Sequence, residues 1–233
     1  MAAEVTALDP KHPATCNVGI GAELWDAAKQ RRPKGLRPFP TIENPHFRVP
    51  ATGGDLFLHI LCDRRDLAFE LARRLVRALG ARVEVAEDVQ GSRYLDSRDL
   101  TGFIDGTENP KNDERAAAAL IGEEDRDFAG GSYVITQRYV HDLKSWESMP
   151  RPTQESVIGR TKPDSVEIEE KAPTSHVGRV VIEEGAKSSR SFATAFPTAI
   201  SARRGSFRGV HARPRDPRED DAPDVRRLEG RHA

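Results

Sequence analysis

With 233 residues, 36 basic against 37 acidic side chains and a net charge of −1, the chain is long enough for one large domain or two small ones. It carries no charge excess suited to nucleic acid or an anionic membrane. No apolar run approaches the roughly 18 residues of a membrane span, and the opening Met1-Ala-Ala-Glu-Val5 lacks the basic-then-apolar pattern of a secretory signal. The expected location is therefore the cytoplasm. Cys16 and Cys62, in apolar strand-like runs without CxxC spacing, are expected to be two buried thiols kept reduced there.

Along the chain, residues 14–20 predict a short strand and residues 22–29, with Leu24 and Trp25, a helix after a Gly turn. Residues 31–54 are rich in Pro, Gly and Arg and predict a long loop. Residues 55–61 form an apolar run of the buried-strand type, with His59 as a packed side chain. From 65 to 79, Leu67, Leu71, Leu75 and Leu79 recur every four residues beside Ala72 and Val76, which predicts one apolar helix face ended by Gly80. Residues 82–88 alternate apolar and polar and predict a strand with one wet face.

The second part repeats this grammar. Residues 131–140 predict a strand, residues 142–149 a helix through Leu143 and Trp146, and Thr153 caps a further helix to Ile158 with Glu155 in its first turn. Residues 177–182 predict a strand. Strand–helix units in two halves predict an α+β fold of two sandwiches, each an antiparallel sheet with helices on one face. Residues 187–233 are rich in Arg and Pro with hardly any apolar periodicity. They are expected to be a disordered tail that cannot bury enough surface to offset its ordering entropy. Its scattered acids, Glu219, Asp220, Asp221 and Asp224, and its lack of interleaved aromatics argue against a nucleic-acid arm.

Two residues carry chemistry. Asp105 lies in Leu100-Thr-Gly-Phe-Ile-Asp-Gly-Thr-Glu-Asn-Pro110, where Gly102 and Gly106 permit tight turning and close backbone approach to a planar ligand. His176 lies in Pro173-Thr-Ser-His-Val-Gly-Arg179. By itself Asp-Gly is a common turn pair, and a lone histidine is an ordinary core or surface residue. The full run around Asp105 resembles the dye-decolorizing peroxidases, whose signature is GxxDG. Ala129-Gly-Gly-Ser-Tyr-Val134, Gln137-Arg-Tyr139, Val157-Ile-Gly-Arg-Thr-Lys162 and Thr174-Ser-His-Val-Gly-Arg-Val180 resemble that family's bacterial cytoplasmic branch, the likeness covering residues 14–186.

That resemblance implies two ferredoxin-like antiparallel-sheet halves, 1–99 and 100–186, both incomplete in this chain, a haem b cofactor, and an enzyme that uses hydrogen peroxide to oxidise dyes or other small one-electron donors. It makes Asp105 the distal acid, moving a proton between the oxygens of bound peroxide, and His176 the proximal ligand of the iron. Ile104, Gly106, Thr107 and Glu108 become haem contacts, and Arg179 a partner for a propionate. Intact relatives often form homo-oligomers. His12, His46, His59, His141, His211 and His232 have no such context.

The sequence departs from the family in two places. Only residues 1–13 precede the first strand, where the family has another strand and a helix. Past residue 187 the family continues with Arg-x-Ser-Leu-Pro-Tyr-Gly and then Gly-Glu-x-Gly-Leu-x-Phe, and its arginine stands beside the distal acid. This chain has Phe192-Ala-Thr-Ala-Phe-Pro-Thr-Ala-Ile200 instead. Read one nucleotide out of register, codons for that stretch permit Arg-His-Ser-Leu-Pro-His-Gly-Asp, and those for 201–207 permit Leu-Gly-Glu-Ala-Gly-Leu-Phe. The tail therefore reads as an out-of-frame half-domain. The alternative function is a haem-binding but catalytically defective fragment.

Overall fold

Alternation in Leu56-Phe-Leu-His-Ile-Leu-Cys62 turns Leu58, Ile60 and Cys62 to one face, and all three are buried. A helix with an apolar stripe must cover that face, and Arg65–Leu79 does so with Leu67, Ala68, Leu71 and Ala72. The computed structural model describes residues 1–180 and, as backbone, the strands at 182–184, 187–189 and 206–214. In chain order the elements are α1 (Ala2–Thr6), β1 (Thr15–Ile20), α2 (Ala22–Ala27), β2 (Ile42–Glu43), β3 (Arg48–Val49), β4 (Leu56–Cys62), α3 (Arg65–Leu79) and β5 (Val83–Ser92). They are followed by α4 (Glu114–Ala119), α5 (Leu143–Ser148), α6 (Arg151–Ile158), α7 (His176–Val180), β6 (Ile182–Glu184), β7 (Lys187–Ser189) and β8 (Ser206–Pro214).

The main sheet runs β1-β4-β8-β5, every neighbouring pair antiparallel. β4 and β5 are both antiparallel to β8, so they are parallel to each other and joined over the sheet by α3. This strand–helix–strand unit leaves a slot one strand wide between them. β8 fills it, pairing from Leu56↔Ala212 to Cys62↔Ser206 on one side and from Val83↔Pro214 to Ser92↔Ser206 on the other. Residues 206–214 thus form a strand inside the segment expected to be disordered. Unfilled, the slot would leave two rows of backbone donors and acceptors without partners, and strand addition satisfies both rows through main-chain bonds. Most of the remainder of 187–233 lies outside the described residues.

α1 closes the core from the side: Val5 is fully buried against Ala14, Ile60, Cys62, Leu67 and Leu71. Charges lock this corner, with Arg64 bridging Asp9 and Asp66 and Arg74 bridging Glu70 and Glu4. Cys62 is buried as expected, whereas Cys16 is only half-buried and both thiols are free. His59 stacks on Phe57 at 6.0 Å, and its burial lowers the imidazole pKa below 6.5. A lowered folded-state pKa means that the unfolded chain takes up the proton first. The stability given by the neutral ring is complete above pH 6.5 and is lost as pH falls below it. The melting temperature should therefore drop between pH 7.5 and 5.5, and drop less in His59→Gln. Equal slopes for the two proteins would refute this.

Two expected strands do not form. Residues 131–140 form neither strand nor helix, and Val134, Ile135, Tyr139 and Val140 are exposed. Apolar alternation makes a strand only where a neighbour supplies backbone partners. The segment is instead held by Tyr133, whose hydroxyl accepts from the Gly35 N–H at 2.8 Å, and by an Arg138–Glu87 ion pair at 2.7 Å. Residues 177–182 open as α7, not as a strand. Ser175 caps that turn, its hydroxyl accepting from the Gly178 N–H at 3.1 Å, and this local bond overrides the β preference of Val177 and Val180.

Candidate active site

Asp105 is half-buried in a loop made almost wholly of turns. The Asp99 carboxylate accepts from the Thr101 N–H at 2.8 Å, Gly102 N–H donates to the Asp99 carbonyl at 3.1 Å, and Asp99 N–H donates to the Phe103 carbonyl at 3.0 Å. Gly102 has φ +88, a backbone conformation that favours glycine, and a Cβ there would stand 2.6 Å from Lys162 Cε and displace the end of that side chain. Gly106, directly after the acid, has φ +75. The Asp105 N–H donates to the Ser97 carbonyl at 2.8 Å, which sets the height of the acid in the loop.

Phe103, 4% exposed, anchors this loop. It meets Trp146 of α5 edge-on at 6.2 Å, with the Lys162 ammonium 5.6 Å from its ring centroid. The Trp146 indole N–H donates to the Thr101 carbonyl at 2.8 Å. Gln154 of α6, also buried, donates to the carbonyls of Trp146 and Met149 and accepts from Lys162 Nζ at 2.6 Å. α5 forms because the Asp142 carboxylate accepts from the Ser145 N–H. α6 starts after Pro150, not at Thr153, with Pro152 in its first turn.

His176 is the first residue of α7 and its side chain is exposed. Around it, Ser175 and Val177 are buried and hold the turn in place. Both pack against Gly159, the left-handed residue that ends α6 at φ +91. The next residue, Arg160, is 8% exposed and pairs with Glu108 and with Glu167, while donating to the Ser165 carbonyl at 2.7 Å. Lys171 and Arg160 hold the Glu167 carboxyl below its usual range, the Lys171 contact being the stronger cause. Successive residues at the end of α6 thus fasten the acid loop on one side and the histidine turn on the other.

Among the sequence-predicted contacts, Ile104, Gly106 and Thr107 line the half-buried stretch around the acid. Glu108 is exposed and engaged by Arg160, and Arg179 is exposed in the last turn of α7. Residue-by-residue reading missed Arg98, Trp146, Gln154, Arg160 and Lys162 as parts of the site. Only Gly159-Arg160, a helix-ending glycine followed by a charge, had a local signal. Among the described residues no three His, Cys, Asp or Glu side chains gather as a bare metal ion would need. The exposed imidazole of His176 is a nitrogen donor of the kind that holds haem iron, and the exposed Arg179 of the same turn is a cation of the kind that pairs with a propionate, so the donor set of this turn fits haem.

The family model "Dyp-type peroxidase, N-terminal" matches residues 2–93, and "Dyp-type peroxidase, C-terminal" matches residues 96–203. A dye-decolorizing peroxidase of Mycobacterium tuberculosis is 45% identical over 179 residues, 76% of this chain and 53% of that protein. The chain spans about half the length of the curated relatives that it matches. Among solved structures, DyPB from Rhodococcus jostii is 41% identical with a TM-score of 0.79, covering 90% of this chain and 69% of that one. A DypB variant from the same organism, in complex with heme, is 43% identical with a TM-score of 0.76 over 85% of this chain and 66% of that one. The likeness extends to the ferredoxin-like α+β architecture.

Proposed function

The chain belongs to the Dyp-type peroxidase family, and from that premise we propose that it is the haem-holding portion of an enzyme that uses hydrogen peroxide to oxidise dyes or other one-electron donors. Its first half would be residues 1–99 and its haem-holding half residues 100–186, a division in keeping with family models that meet between residues 93 and 96. When bound, haem supplies the redox iron, and the protein supplies ligand, proton carrier and shape.

In this reading the exposed imidazole of His176 would hold the iron through a ring nitrogen, and Asp105 would be the carboxylate that takes a proton from one peroxide oxygen and returns it to the other. Ile104, Gly106, Thr107 and Glu108, which flank the acid in its loop, would contact the ring edge, and Arg179, in the turn of His176, would pair with a propionate. One observation carries the reading. The acid loop and the histidine turn are fastened to adjacent residues, Gly159 and Arg160, so the two groups are held by a common support.

A second reading is favoured by the residues at 192–207. The arginine that the family places beside the distal acid is missing there, and codons for the stretch permit the family's sequence one nucleotide out of register. The chain would then bind haem and handle peroxide poorly. Titration of the purified chain with haem tests the shared part of both readings. A Soret band should appear, weakened about tenfold or more in affinity in His176→Ala, because the axial bond is the main directional contact to iron. No Soret band after haem addition, or equal affinity in His176→Ala, would overturn the assignment.

A further inference from the structure

Arg98 lies seven residues before the acid in a stretch with no sequence signature, yet its side chain makes five hydrogen bonds. Its side chain is 14% exposed. Nε donates to Asp96 Oδ1 at 2.7 Å and Nη2 to Asp96 Oδ2 at 3.0 Å, forming a two-pronged pair. Nη1 donates to the Gly102 carbonyl at 2.8 Å and the Lys162 carbonyl at 2.6 Å, and Nη2 donates again to the Pro163 carbonyl at 2.8 Å. An arginine has five N–H donors, and these five bonds use them all.

The backbone repeats the pattern. Arg98 bridges Tyr94 on one side and Ile104, the residue before the acid, on the other. Its neighbour Ser97 accepts the Asp105 N–H at 2.8 Å. One guanidinium therefore ties three segments together: the 94–99 turn, the Gly102 turn, and the loop at 162–163 that follows α6. We propose that Arg98 is the positioning residue for Asp105, fixing the height and direction of the acid loop against the end of α6. This rests on the reading of Asp105 as the distal acid, but the hold on the loop stands apart from haem.

The requirement is geometric and not one of charge. Lysine keeps the charge and offers three donors from one point, so it cannot serve a carboxylate and three carbonyls that lie in different directions. Arg98→Lys should therefore fail to rescue what Arg98→Ala loses. The first measurement is amide hydrogen exchange on the haem-free chain. In both variants the Asp105 amide should exchange at least tenfold faster, while the amides of α3 keep their parental rates. Unchanged exchange at Asp105, full rescue by lysine, or equal acceleration in α3 would each overturn the proposal.

The second measurement separates positioning from a merely structural role. In haem-loaded protein, Arg98→Lys should slow the peroxide-dependent spectral change at least fivefold in the parent, and add nothing in an Asp105→Asn background. Additive losses would overturn the proposal. A chain without a Soret band would defeat the haem reading alone, since hydrogen exchange at Asp105 decides the role of Arg98 without it.

Discussion

Shifting the reading frame by one nucleotide after about residue 187, to restore the stretch proposed from its codons, is expected to raise the rate of the peroxide reaction by about 10²–10³-fold, the usual effect of one preorganised donor aimed at developing charge. A carboxylate beside bound peroxide can carry a proton, but it does nothing for the negative charge that gathers on the departing oxygen. A guanidinium does so through its fixed positive fork. The family places one immediately after the stretch where this chain changes character, and the codons of 192–200 permit Arg-His-Ser-Leu-Pro-His-Gly-Asp one nucleotide out of register. The test is stopped-flow spectroscopy on three haem-loaded proteins: the chain as it stands, the frame-restored chain, and the restored chain with its new arginine changed to alanine. The restored chain alone should react fast. A restored chain no faster than the present one, or an alanine form as fast as the restored one, would defeat the explanation.

The same change would rewrite residues 206–214, the strand that closes the main sheet. That strand is seated by backbone pairing on both sides, a kind of recognition that depends only weakly on sequence. This is why an Arg-rich segment with no apolar period can still occupy a central position, and why periodicity could not foresee it. Where side chains decide the structure, the sequence was legible. The four-residue recurrence of Leu67, Leu71 and Leu75 predicts the helix at the bounds observed, and the apolar run at 55–61 predicts β4 to within a residue. Where partners decide, it was not. Tyr133, Val134 and Ile135 read as a strand but join no sheet, because pairing needs a neighbour. Val177 and Val180 read as a strand, although Ser175 just ahead of them was a legible cap.

The site divides in the same way. Asp105 and His176 stood out only through resemblance, since an acid in an Asp-Gly turn and a lone histidine are ordinary residues. Their supports were harder to see. Arg98 sits among Asp96 and Asp99 like any surface arginine, and its burial appears only once Gly102, Lys162 and Pro163 converge on it. Long-range carbonyl contacts of this kind leave no period and no spacing in a sequence.

Gly159→Val should cost about 2–5 kcal/mol of stability and should weaken haem binding in the fraction that still folds. At φ +91 a β-branched residue is strained, and the left-handed conformation costs about 1–2 kcal/mol for an L-residue. Overpacking adds about 1–3 kcal/mol. A Cβ at this position would stand 3.0 Å from Ser175 Oγ, 3.2 Å from Val177 Cβ and 3.3 Å from Ser175 Cβ, all tighter than ordinary contact. Those neighbours cannot yield freely, because Ser175 caps α7 and Val177 anchors it, so the added atoms push on the turn that carries His176. Leu71→Ala makes the right control. It removes a fully buried side chain from the first half, at a comparable cost of about 2–5 kcal/mol, and touches nothing near the histidine. Urea unfolding should report similar losses for the two variants, while haem titration of the folded protein separates them, with weaker binding in Gly159→Val alone. Equal haem affinity in both would show that the end of α6 does not set the position of the histidine, and the common support proposed for acid and imidazole would fail with it.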